Sequence, residues 1–323
     1  DGVVVMNFSL NSVNTLYDSM QSIAITLVLV LGLIILVISV LYSGQVVMPM
    51  KEVAGSIAMI SSGDFNETMQ ITGYSEAEDI SDKFNSMLSV LQNLEDARQE
   101  FVSNVSHELK TPITSVKVLA ESLIGQENVP VELYQEFMVD INEELERMNK
   151  IINDLLTLVK MDKNASEVNI SEVNINEFLE AILKQLQPIA DKRNIEMIFE
   201  SVRSVTAQVD EVKLAMAFRN LIENAIKYNY DNGWVRVSLN ADHKFFYLKV
   251  SDSGVGIPEE LQDSIFERFY RVDKARSRET GGNGLGLAIT RNAILLHRGS
   301  IKVHSIEQQG TTFAVRIPLM YSE

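Results

Sequence analysis

At 323 residues the chain exceeds one ordinary domain and has room for two or more separate cores. Its 28 Lys and Arg stand against 44 Asp and Glu, a formal net charge of −16, and so acidic a chain repels phosphate backbones, which argues against a nucleic-acid partner. The absence of cysteine excludes disulfides, thiolate metal sites and cysteine nucleophiles, and the four histidines follow no metal-ligand spacing.

The chain opens on Asp1 and reads as a processed protein or part of a longer one. Residues 2–10 are β-prone after an Asp-Gly turn signal, and we read residues 1–22 as the end of an extracytoplasmic sensor region. From Ser19 to Met50 no residue is charged, and residues 23–42 are apolar on every face. That run is long enough for a bilayer core and predicts a transmembrane helix at 23–43; no basic stretch precedes it, as a cleaved signal peptide would need.

Beyond the span, Val46, Met50, Val53, Ile57 and Ile60 step by four and three residues, the pattern of a coiled-coil seam. Ser62-Gly63-Asp64 interrupts it, and a connector containing Ile71 and Gly73 follows. A second seam runs through Ile80, Phe84, Met87, Leu91, Leu94, Arg98 and Phe101. Two such helices resemble the HAMP relay module, with Pro49, Gly63-Asp64-Phe65 and Glu78-Asp79-Ile80 where that family has them. The expectation for 44–96 is this relay, and the alternative is a plain structural coiled coil.

The second seam leads directly into residues 101–115, FVSNVSHELKTPITS. On a helix the neighbours of His107 are Ser103, Asn104, Lys110 and Thr111, all polar, whereas Val105, Leu109, Ile113 and Val116 share another face. His107 therefore points outward, and an imidazole with a reference pKa of about 6.5 offers a free lone pair near neutrality. After a loop at 125–130, the positions from Leu133 through Phe137, Ile141, Leu145, Met148, Ile152 and Leu155 to Val159 predict a second long helix. A hairpin with an apolar stripe on both arms buries it by pairing with a second copy as a four-helix bundle, so 97–163 is expected to form a homodimer.

After a polar hinge at 162–171 the pattern alternates. Helices are expected at 178–191 and 210–228, strands at 195–200, 234–239, 245–251, 301–305 and 312–317, so that 168–323 forms an α/β sandwich with strands in adjacent antiparallel pairs. Asn220, Asn224 and Lys227 fall on one helix face, where asparagine oxygens suit a hard Mg²⁺ ion and the lysine a phosphate. Asp252-Ser253-Gly254-Val255-Gly256 follows a strand and offers a carboxylate to accept an adenine amino hydrogen. Phe266-Glu267-Arg268-Phe269-Tyr270-Arg271 carries arginines able to reach phosphate. Gly281-Gly282-Asn283-Gly284-Leu285-Gly286 opens a helix with unobstructed N–H groups, and Gly310-Thr311-Thr312-Phe313 closes the series.

Taken in order, these segments resemble the phospho-acceptor, N, G1, F, G2 and last glycine boxes of bacterial membrane-bound sensor histidine kinases. The C-terminal part is similar to the ATPase fold shared with gyrase and a heat-shock chaperone. The resemblance implies ATP and Mg²⁺ as cofactors, a lid at about 272–281, and His107 attacking the γ-phosphate with Glu108 as hydrogen-bond partner or base. It implies nucleotide contacts from Asn220, Glu223, Asn224, Lys227, Tyr228, Asp252, Gly254, Gly256, Arg268, Arg271, Gly282, Gly284, Leu285, Gly286 and Thr312, with Asn224 on the metal. A response-regulator receiver domain would take the phosphoryl group, Thr111 would orient a water for the reverse hydrolysis, and the catalytic parts would lie in the cytoplasm beneath a bacterial membrane. Glu223 departs from the aspartate of many relatives but keeps the carboxylate. The competing reading is a non-catalytic or phosphatase-dominated relay that binds nucleotide. His243, His297 and His304 are read as a turn residue, a helix-end residue suited to the dipole, and a strand residue.

Overall fold

The computed structural model describes residues 2–4, 10–47, 51, 53–55, 57, 75–125, 129–163, 168–272 and 282–321. The chain divides into two compact units, Asp1–Glu100 and Phe101–Glu323.

In the first unit, α1 (Asn11–Tyr42) is helical over 32 residues and ends in a π-helical turn at Ser43–Val47. It begins well before the apolar run at 23, because the Thr15 and Ser19 hydroxyls donate back to the Asn11 and Thr15 carbonyls at 3.0 and 2.7 Å and so sit inside a helix without loose ends. The stretch long and apolar enough to cross a membrane is Val13–Tyr42, none of it buried within the chain. At 1.5 Å per residue this is about 45 Å, more than the roughly 30 Å of a hydrocarbon core. Residues 2–4 are exposed and carry no strand, and residues 5–9 of the stretch read as β-prone lie outside the described residues. Pro49, Met50, Ile60, the connector with Gly63-Asp64-Phe65, Ile71 and Gly73 all lie outside the described residues, and so does the HAMP reading built on them.

Helix α2 (Ser75–Ile124) runs for 50 residues, so the second seam does continue into the His107 helix. In the first unit Phe84 and Leu91 of the expected seam are half-buried. Ser81 and Leu88 are buried, whereas Ile80, Met87 and Leu94 look outward at seven-residue intervals.

The second unit contains the hairpin formed by the rest of α2 and α3 (Val131–Lys163). It is followed by β1 (Ser171–Asn174), α4 (Ile175–Asp191), β2 (Glu196–Ser201), β3 (Thr206–Val209), α5 (Glu211–Lys227), β4 (Trp234–Ala241), β5 (Phe245–Asp252), α6 (Gly286–Leu296), β6 (Ser300–Ile306) and β7 (Gly310–Pro318). The five-stranded sheet has the order β2-β4-β5-β7-β6, and β1 and β3 form a separate antiparallel pair. Alternation places Val235, Val237 and Leu239 of β4, Phe246, Leu248 and Val250 of β5, and Phe313, Val315 and Ile317 of β7 in one core. The helices α4, α5 and α6 contribute Leu179, Phe218, Leu221 and Ile289 to that core. The expectation of antiparallel pairs holds for β4–β5, β5–β7 and β6–β7 but not for β2, which runs parallel to β4 because α5 lies between them in the chain and returns it to the same edge. Leu158 and Met161, on the last turns of α3, belong to the same core, which seats the hairpin's second arm on the α/β layer.

Candidate functional site

Helix α5 starts where the Asp210 side chain accepts the Lys213 N–H, and it buries Leu214, Ala217, Phe218, Leu221, Ile222, Ala225 and Ile226. That leaves Asn220, Glu223, Asn224 and Lys227 half-buried on the other side. Asn220 Nδ2 donates to the Gly286 carbonyl at 3.2 Å, tying this face to the start of α6. The Asn224 side chain has no hydrogen-bond partner among the described residues, so its amide oxygen is free for a ligand. Burial, together with the charges of Lys150, Arg271 and Arg147 against the opposing pull of Glu223, brings Lys227 down to about 8. Its ammonium lies 5.1 Å from the Tyr228 ring centroid, and a side chain at Gly282 would come within 2.8 Å of it.

Asp252 ends β5 inside the domain. Its Oδ1 accepts the Gly254 N–H at 2.9 Å and the Thr311 N–H at 3.2 Å, while no hydrogen bond among the described residues takes its Oδ2. Burial pushes this carboxyl up to about 6 against those two N–H groups. The turn is pressed onto the end of α5: Val255 N–H donates to the Tyr228 carbonyl at 3.0 Å, and any Cβ at Gly254 would collide with that carbonyl. A buried carboxylate with a free oxygen is suited to accept hydrogens from a neutral amine such as an exocyclic base amino group.

Phe269 and Gly284 interlock through their backbones. Both have left-handed φ, 63° and 70°, the Phe269 N–H donates to the Gly284 carbonyl at 2.9 Å, and a Cβ on Gly284 would press within 2.9 Å of Phe269 backbone atoms. Asn283 is buried, accepts the Leu285 N–H at 3.1 Å and donates to Asp154 of α3 at 2.6 Å. Residues 273–281, which hold most of the expected lid and Gly281, are outside the described residues.

On α2, His107 is exposed as its neighbours predict, without a hydrogen-bond partner among the described residues. The Glu108 carboxylate is taken by Arg271 at 2.9 Å, their side chains 23% and 8% exposed. The Arg271 Nε is buried without a partner. Thr111 donates its hydroxyl to the His107 carbonyl at 3.2 Å, and Pro112 continues the helix without an N–H for the Glu108 carbonyl. The Arg268 guanidinium lies 5.6 Å from the Phe101 ring, which also meets the Phe269 ring at 5.8 Å. The expected site residues therefore fall into two groups. Asn220, Lys227, Tyr228, Asp252, Gly254, Gly282 and Gly286 line one region, whereas Arg268 and Arg271 face the hairpin and engage Phe101 and Glu108.

Several residues were not anticipated. Thr311, not Thr312, stands beside Asp252, bonded also to Ser305 at 2.9 Å; Thr312 lies on the other face of the sheet with Ser251. The alternation of Phe313, Val315 and Ile317 carried that signal. Asn229, 1% exposed, accepts from Ser253 Oγ at 3.0 Å and donates to the Trp234 carbonyl at 3.0 Å. His297 is no dipole-facing surface group. It is buried, its Nε2 accepts the Asp210 N–H at 2.8 Å, and burial lowers its pKa.

Two families match the chain: the His Kinase A (phospho-acceptor) domain over residues 97–164, and the histidine kinase-, DNA gyrase B- and HSP90-like ATPase over residues 209–320. The signal transduction histidine-protein kinase ArlS of Staphylococcus aureus is 31% identical over 317 residues, covering 97% of this chain and 70% of that protein. The chain belongs to the sensor histidine kinases of two-component systems. The sensor protein kinase WalK of Staphylococcus epidermidis is 36% identical over 281 residues, 85% of this sensor kinase but 44% of WalK, so the chain spans less than half the length of that relative. Among solved structures, the Acinetobacter baumannii histidine kinase AdeS shares the fold with a TM-score of 0.55 at 23% identity, over 66% of this chain and 98% of that one. The histidine kinase ThkA, solved in complex with response regulator protein TrrA, does so with a TM-score of 0.55 at 24% identity, over 71% of this chain and 64% of that one. The ATPase match spans α5 to β7, the elements that carry Asn224, Lys227 and Asp252.

Proposed function

We propose that the chain phosphorylates itself on His107 from ATP and passes the phosphoryl group to an aspartate of a response-regulator receiver domain. The observation that carries this reading is an exposed imidazole without a side-chain partner among the described residues, in the same compact unit as the half-buried Asn224 and Lys227 and the buried Asp252 carboxylate. The imidazole lone pair forms the N–P bond as the bond from the γ-phosphorus to the ADP oxygen breaks, and the ring proton leaves to the Glu108 carboxylate or to water. Asp252 orients the base, and Lys227 meets phosphate charge. The unshared Asn224 oxygen fits Mg²⁺, which is bound by few protein oxygens together with phosphate and water and would neutralise charge on the transferred group.

Exposed apolar residues on the hairpin, among them Ile113, Tyr134, Leu145, Ile152 and Leu156, support a homodimer closed as a four-helix bundle. Helix α1 supports a membrane anchor, and we place the second unit in the cytoplasm on the ground that its proposed substrate is ATP. We assign the segments as extracytoplasmic up to 22, membrane to 43, relay to 96, phosphotransfer hairpin to 163 and ATPase from 168.

The engagement of Glu108 by Arg271 favours a second activity for this arrangement. With its base occupied the site is not set for kinase chemistry, while Thr111, whose oxygen keeps lone pairs for a water, suits hydrolysis of a phosphorylated regulator. Incubation with γ-labelled ATP and a panel of receiver domains tests the proposal. Acid-labile label should appear on the wild-type chain and move to one regulator; label of the same kind on His107→Ala would sink it.

A further inference from the structure

The C-terminal end of α5 is held from outside the stretch that matches the ATPase family. Arg193 lies in the turn after α4 and precedes residue 209, where that match begins. Its guanidinium uses every nitrogen: Nη1 donates to the Ile226 and Lys227 carbonyls at 2.8 and 2.9 Å, Nη2 to the Asn229 carbonyl at 2.7 Å, and Nε to Asp231 at 2.9 Å. Ile226 and Lys227 carry two of the last carbonyls of α5; the Asn229 N–H reaches that of Ile226 only at 3.4 Å, and a cation there also meets the negative end of the helix dipole. The Asp231 carboxylate is 70% exposed, so that pair is worth little, and the three carbonyl bonds carry the function.

What these bonds fix is the boundary between helix and nucleotide cleft. The Lys227 carbonyl goes to Arg193, the next carbonyl, of Tyr228, goes to Val255 in the Asp252 turn, and the next, of Asn229, returns to Arg193. The Asn229 side chain meanwhile holds Ser253 and Trp234. The height at which α5 stops therefore sets the separation between the Lys227 ammonium and the Asp252 carboxylate. From this geometry we infer that Arg193 is a positioning residue for nucleotide binding, an inference that rests on the nucleotide site proposed above. It holds the phosphate-facing and base-facing halves of the cleft in register without touching the ligand.

The test uses the full chain in lipid nanodiscs, with Arg193→Gln and Arg193→Lys. Equilibrium binding of ATP, and KM and kcat for self-phosphorylation, are read beside thermal unfolding and amide exchange. For Arg193→Gln we expect Kd and KM to rise about tenfold with kcat nearly unchanged, and the Val255 amide to exchange faster while the middle of α5 stays protected. Arg193→Lys, which keeps a cation but cannot reproduce the forked bonds to all three carbonyls, should recover only part of the affinity and leave Kd severalfold above wild type. A merely structural role would lower the unfolding temperature and the active fraction but leave Kd and KM of the folded molecules alone, and that result overturns the inference. Should Arg193→Gln fail to fold, Arg193→Lys decides by itself: a Kd raised severalfold supports the inference and an unchanged Kd refutes it. A wild-type chain that binds no ATP would instead fail the proposed function.

Discussion

Truncating Leu158 to alanine tests whether the hairpin and the α/β layer are held as one body by the end of α3. Leu158 is fully buried, though it belongs to the hairpin, and it lies in one core with Met161 and with residues of α5 and α6. A buried Leu→Ala change costs about 3 kcal/mol from lost burial and the cavity left behind. If the core of the α/β layer closes over that cavity by releasing α3, the whole cost falls on docking, and the docking equilibrium shifts by about a hundredfold. Hydrogen exchange measured amide by amide reads this directly. Protection should drop about a hundredfold in the last turns of α3 and in the parts of α6 that face it, while amides of β4, β5 and the middle of α5 keep theirs. Asn283, which joins α6 to Asp154 from the same side, should lose its order together with them. A uniform loss of protection throughout the second unit would refute the reasoning, because it would make Leu158 part of a single cooperative fold; no loss in α6 would refute it as well.

His297 must stay neutral to accept the Asp210 N–H, and its pKa lies below its unfolded value, so it stabilises the fold above about pH 6.5 and that stability is lost as pH falls further. His297→Gln, compared with wild type in urea titrations between pH 5 and 7.5, should lack this component, and identical pH profiles would count against it. Asp252, raised to about 6, should lose affinity for ATP as pH falls through that value, whereas Asp252→Asn should bind more weakly and without that step; isothermal titration at several pH values compares the two. Thr111→Ala should keep self-phosphorylation and slow the dephosphorylation of the regulator, as assayed with purified phospho-regulator; equal loss of both would assign its bond to the His107 carbonyl a structural role beside Pro112.

The long elements and the outward face of His107 were legible because helical spacing is a local property. Residues 103, 104, 110 and 111 settle it without reference to the rest of the chain. The strands β1 and β3 were missed because SEVN and TAQV are four residues each and too short to display alternation. The parallel pairing of β2 with β4 depends on a partner more than thirty residues away, which no local pattern encodes. The site divides in the same way. Asn220, Asn224 and Lys227 share one helix face and could be grouped by spacing. The pair Glu108 and Arg271 joins residues 163 apart, and Arg193 reaches carbonyls 33 to 36 positions on, so both required the tertiary fold. His297 was misread because a helix-end position suggests exposure, while burial was decided by the Asp210 turn packing over it.

The backbone interlock of Phe269 with Gly284 has a bearing on how this family can vary. It closes a neck, so the chain between those two residues leaves and re-enters the domain at fixed points, whatever its length. For a loop tied at its base, doubling the number of residues costs only about 0.6 kcal/mol of closure entropy. Gly284, with its positive φ and no room for a Cβ, therefore stays under constraint at the neck, and inside it Arg271, held to Glu108, and Asn283, held to Asp154, are constrained by contacts of their own.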